Sequence, residues 1–165
     1  MRWLLPIAML LSTAAYGDVL DRVLAVVSGQ IISLSDVTAA RDLGLESAAG
    51  AQDPVRAVLN RLIDRELILD EAERYAPPEP QPEAIDREFD AVRQRFASTA
   101  ALEATLARCG IDDHHLRETI RQNLRIRAYL EQRFSGSDER RQALIDEWVA
   151  GLRRRADVVD LYIVK

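Results

Sequence analysis

Apolar positions near residue 20 come in two short bursts. "VLAVV" (23–27) is followed by "SGQ" (28–30) and then by Ile31-Ile32. Two such runs around a glycine predict a short β-hairpin. The period then changes. Ser33 and Ser35 are candidate N-caps, and Asp36 suits the positive end of a helix dipole, so a short helix to about Leu43 is expected. "GLESAAGAQD" (44–53) is a loop of small residues. Asp53-Pro54 opens the clearest helix, in which Val55, Val58, Leu59, Leu62, Ile63, Leu67 and Ala72 keep helical spacing to about Tyr75. "APPEPQP" (76–82) stops it, and so stiff a link implies a fixed change of direction.

The next helix, from about Pro82 to Phe96, has a narrow apolar stripe of Ile85, Phe89, Val92 and Phe96. A short helix starting near Ser98 carries Leu102 and Leu106 and stops at Gly110. A long helix capped by Asp112 or Asp113 follows. Leu116, Ile120 and Leu124 line one edge of its apolar face, and Ile126, Leu130 and Phe134 the other. So broad a face predicts more than one packing neighbour. After "SGSD", a final helix from about Asp138 to Arg155 carries Leu144, Ile145, Trp148, Val149 and Leu152. The last residues, "VVDLYIVK" (158–165), read as a strand. A lone strand leaves its backbone groups without partners, and the only other strand material is the hairpin. Val159 to Val164 is therefore expected to pair with Val23–Ile32, with the final helix near the first. The fold class expected is mainly α, multi-helical, with a small sheet formed by the N-terminal hairpin and the C-terminal strand.

The first residues follow another logic. "MRWLLPIAMLLSTAAYG" (1–17) places Arg2 before an apolar run from Trp3 to Leu11, and Ala15-Tyr16-Gly17 fits a small-x-small cleavage rule. This reads as a signal peptide cut between Gly17 and Asp18. An uncleaved anchor is the alternative, but the run is well short of the ~20 residues needed to span a bilayer. One domain, 18–165, is expected after export to a periplasm, without stable membrane insertion.

Charge and chemistry narrow the function. There are 22 Lys and Arg against 27 Asp and Glu, a formal net charge of −5, which argues against general nucleic-acid binding. Cys109 is the single cysteine, so no intramolecular disulfide exists. It reads as a small buried residue near a helix end, with a reactive thiol as the alternative. His114 and His115 are adjacent and point about 100° apart on a helix, which suits a solvated first turn better than one metal. There is no HExxH, CxxC or P-loop pattern. No catalytic, metal or cofactor residue is nominated, and no cofactor is called for. Arg153-Arg154-Arg155 fits the last turn of a helix, where cations are favoured, with a phosphate or headgroup site as the alternative. What remains is surface: amphipathic helices that enclose an apolar groove for extended or helical segments. The candidate groove residues are Ile85, Phe89, Val92, Phe96, Leu102 and Leu106, with plain core packing as the other reading.

The order of elements resembles a known family. "VLDRVLAVVSGQIISLSDV" (19–37) followed by "LNRLIDRELILDEAERY" (59–75) is similar to the N-terminal chaperone domain of SurA and its relatives, periplasmic foldases that often carry parvulin prolyl isomerase domains. "FASTAALEATLARCGIDDHHLRETIRQNLRIRAYL" (96–130) resembles the next section of that domain. The likeness runs from about Val19 to Phe134. "LIDEWVAGLRRRADVVDLYIVK" (144–165) resembles the helix and strand that return to this domain after the parvulin modules. Here the two sections, 18–134 and 138–165, are nearly contiguous, and the stretch between Phe134 and Leu144 has no room for a folded module. The resemblance thus implies a closed chaperone core without isomerase activity. Its partners would be unfolded or partly folded exported polypeptides, outer-membrane proteins among them, bound without ATP. The alternative is a non-catalytic adaptor dedicated to one exported complex. The sequence leaves the oligomeric state open.

Overall fold

The computed structural model describes residues 21–163. The signal-peptide reading, with Gly17 and Asp18, and the end of the expected strand at Val164 lie outside the described residues. Among those described there are six helices and three strands, so the protein is mainly helical with one small antiparallel sheet.

Strand β1 (Val23–Val27) turns through Ser28-Gly29 into β2 (Gln30–Ser33). Both turn residues have positive φ, 50° and 87°, as the tight hairpin turn requires. The pairing runs Val27↔Gln30, Val26↔Ile31 and Ala25↔Ile32, and a bulge between Val23 and Ala25 shifts the register. The extra residue breaks the alternation of faces, which is why the neighbours Leu24 and Ala25 are both fully buried. Strand β3 (Val158–Asp160) pairs antiparallel with the other side of β1, giving the order β2-β1-β3.

The closing strand thus meets the hairpin as expected, but its regular part is shorter. Beyond Asp160 one ladder bond continues, from Leu161 N–H to the Leu24 carbonyl at 2.9 Å. Tyr162 instead turns its ring to the start of a helix. Its hydroxyl donates to the Asp53 carboxylate at 2.9 Å, and the Arg56 guanidinium lies 4.6 Å from the ring centre.

The helices start where local chemistry says they should. Ser33 caps α1 (Leu34–Asp42) in a reciprocal capping box with Asp36. Asp53 caps α2 (Pro54–Tyr75), accepting from Arg56 N–H at 2.9 Å. Helix α3 (Pro82–Arg93) ends three residues before the expected Phe96. Ser98 caps α4 (Thr99–Arg108), Asp112 caps α5 (Asp113–Arg133), and α6 spans Asp138–Arg155. Arg121 and Arg125 of α5 reach Glu79 at 2.8 and 3.4 Å, pinning the proline link to that helix.

Two apolar cores result. The first joins the inner sheet face (Leu24, Ala25, Val27, Ile32) to Val37 and Ala40 of α1, to Val58, Leu59, Ile63 and Leu67 of α2, and to Leu152 of α6. The second gathers Ala39 of α1 and Leu43, its C-cap, with residues of α3, α4 and α5. Helix α1 is common to both. Helix α5 packs on α2 and on α3, as its broad face predicts, while α6 packs on α2 rather than on the first helix.

Candidate functional site

Between the two cores the surface opens into a cleft of about 640 Å³. One wall is β2 and α1, with Gln30, Ile31, Ile32, Asp36, Ala39, Ala40 and Leu43. Leu62, Arg65 and Glu66 of α2 form the floor. The far wall is the first half of α5, from His114 to Asn123, preceded by Ile111. The loop residues Leu45 and Glu46 close one end. Apolar and polar side chains both line it, with Arg65 and Glu66 set beside Leu62.

The charged groups of the cleft are mostly spoken for. Arg65 holds Glu66 at 2.5 Å and donates to Gln122 and Asn123. Arg121 holds Glu118 at 2.6 Å, Arg61 reaches Glu46 at 3.7 Å, and Asp36 is engaged in the capping box. Burial pushes the carboxyls of both Glu46 and Glu66 above their usual range, with Arg61 and Arg65 opposing it. The cleft therefore presents apolar surface and paired charge.

The helix-stripe residues nominated from the sequence fall elsewhere. Phe89, Val92, Leu102 and Leu106 are buried together in the second core, and Ile85 and Phe96 pack half-buried against it. The Arg117 guanidinium covers Phe89, 4.3 Å from the ring centre. A stripe on a charged helix shows that a face is covered, but not by what. Here α4 and α5 cover it, so these side chains serve as core.

Other candidates resolve simply. Cys109 is buried at the end of α4, and burial raises its thiol pKa, which works against reactivity. His115 hydrogen-bonds the capping Asp112, and among the described residues no three His, Cys, Asp or Glu side chains gather as a metal-binding group. Arg153 binds Asp64 at 2.5 Å and the Asn60 carbonyl at 2.6 Å, tying α6 to α2. Among the described residues no helix is long and apolar enough to cross a membrane.

Two features escaped sequence reasoning. One is the cleft itself, which draws on Ile31, Leu45 and Ile111 from three separate segments. The other is an aromatic cluster where α2, α5 and α6 meet. Tyr129 lies 5.6 Å from Tyr75 and 6.0 Å from Trp148, and Phe134 is 5.4 Å from Trp148. Arg133 sits within 6 Å of all four rings, at 5.2 Å from Trp148. Tyr129 lies on neither nominated edge of α5, yet is the buried residue there.

No protein-family model matches the chain, and no curated protein matches it.

Proposed function

We propose that this protein is an ATP-independent holdase of the SurA type, acting in a periplasm on unfolded or partly folded exported polypeptides. Under this reading it performs no prolyl isomerisation and holds its clients by apolar contact. The observation that carries the proposal is the open cleft between the two cores, lined by apolar side chains and paired charges, beside a sheet whose outer-face residues Ile31 and Val159 stand exposed. Among the described residues, six of the eight large hydrophobic residues that stand exposed (Val23, Ile31, Leu34, Val159, Leu161 and Ile163) belong to that sheet or its flanks. So concentrated an exposure marks an interaction surface. Under this reading clients bind at the cleft rather than on the α3–α4 stripe, because most of that stripe is committed to core.

The test is suppression of aggregation. An unfolded outer-membrane β-barrel protein diluted from denaturant should stay soluble when this protein is present at near-stoichiometric amounts, without nucleotide. No suppression, together with no heat of peptide binding in calorimetry, would remove the proposal. A pull-down from exported proteins that returns one folded partner in fixed stoichiometry would favour the adaptor reading instead.

A further inference from the structure

Among the described residues strand β2 is an edge of the sheet, and its residues Gln30, Ile31 and Ile32 line the cleft. In an antiparallel hairpin with a two-residue turn the closing pair, Val27↔Gln30, is hydrogen-bonded, so bonding alternates from there. Ile32 bonds to β1, whereas Ile31 turns its N–H and C=O away from β1. The β1–β3 ladder agrees with this alternation, since the Leu24 carbonyl, two residues from Val26, accepts from Leu161. Among the described residues no strand lies beyond β2. On the outer face Ile31, Val26 and Val159 stand in a row across the three strands. Ile31 is 62% exposed and also lines the cleft, so the sheet face and the cleft meet at this residue.

We infer that β2 accepts an extended client segment as a fourth strand, resting on the holdase reading. The Ile31 backbone supplies the main-chain bonds, and alternate client side chains enter the cleft. The occupant is a segment with alternating apolar residues, for three reasons. The cleft is lined by Ile31 of β2 and by Leu45, Leu62 and Ile111, so alternate apolar side chains of an added strand would meet aliphatic surface there. Three of the four carboxylates that line it are paired, by Arg65, Arg61 and Arg121, and the fourth, Asp36, is held in the capping box, so the site offers little free charge to an ionic ligand. The third reason excludes a second folded copy. Three strands about 4.8 Å apart and some 16 Å long make a face of roughly 230 Å². A stable dimer needs ~800 Å² from each partner.

The test uses a short fluorescein-labelled peptide of alternating valine and threonine, read by fluorescence anisotropy. A copy N-methylated at every second residue keeps the side chains but loses main-chain donors on one edge. The copy methylated on the paired edge should bind about tenfold more weakly or worse. Ile31→Pro should weaken the unmodified peptide similarly, since it removes a donor the hairpin does not use. Thr119→Trp, which fills the cleft, should do the same. The Ile31 amide should exchange quickly in the free protein and slowly with peptide bound, and raising the salt should change affinity little. Equal binding of both methylated copies and the unmodified peptide overturns strand addition, while continued suppression of aggregation would leave the holdase reading standing. An Ile31 amide protected without peptide also overturns it, because the edge would already be covered by the chain's own N-terminal segment or by a second copy.

Discussion

Asp53 shows how one side chain can tie distant parts of the chain together. Its carboxylate caps α2 through the Arg56 N–H and also receives the Tyr162 hydroxyl from the end of the chain. Asp53→Ala should therefore cost about 1–2 kcal/mol in urea unfolding, with the slope unchanged. Tyr162→Phe isolates the second bond and should cost about 1 kcal/mol. The cap was legible in the sequence because it involves residues three apart. The tyrosine was not, because it comes from 109 positions away. Glu66 makes the opposite electrostatic case. Burial raises its carboxyl pKa in the folded protein, so the folded state binds the proton more readily than the unfolded chain. Its contribution to stability must then rise as pH falls through that raised value, and level off below the ordinary glutamate range. Glu66→Gln imitates the protonated form. It should be as stable as the parent or more so at neutral pH, with the difference gone in acid, when melting is followed across pH. A variant less stable at pH 7 would show that the Arg65 pairing outweighs the burial.

The closing strand ties the hairpin to the start of α2. It is β1's second partner, and its flanking residues engage the start of α2 through Arg56–Asp160 and Asp53–Tyr162. Deleting Val158–Lys165 should therefore lower stability by about 2–4 kcal/mol. The loss should appear as one cooperative transition shifted to lower temperature, not as a frayed end beside an unchanged melt. A truncated protein that melts like the full chain would refute the pairing. The existence of this strand, its partner and the starts of the helices were readable from period and capping chemistry. Its length was not. Asp160 accepts the Tyr162 N–H at 3.0 Å and Tyr162 packs toward α2, so side-chain bonding ends the regular ladder early. Likewise α3 stops at Arg93, although the stripe suggested helix to Phe96, because a stripe reports which residues are covered and not the conformation of the last turn.

For the whole molecule, the central fact is that two cores share α1. Val37 and Ala40 face the sheet, while Ala39 and Leu43 face α3–α5, and the cleft lies where the cores part. This arrangement explains why apolar stripes along single helices do not coincide with the open surface of the fold. Phe89, Val92, Leu102 and Leu106 look available on short charged helices, but in the fold they cover one another. Ile31, Leu45 and Ile111 look unremarkable in their own segments, but in the fold they line one opening. The holdase assay and the strand-addition test both address this level, since neither surface exists in an isolated element.

Local chemistry decided the elements of this protein. A serine or aspartate oxygen reaches an amide three residues on, a proline forbids the next helical bond, and a glycine permits a tight turn. Each acts within one turn of chain and is visible in the order of residues. Apolar alternation at both ends likewise required the termini to meet. The identity of the surfaces left open depended on something else. Burial is a relation between segments far apart in the chain, and the same aliphatic stripe is core or contact surface according to what packs against it. Only the docking of α4 and α5 on α3, and the absence of a described neighbour beside β2, separate the two.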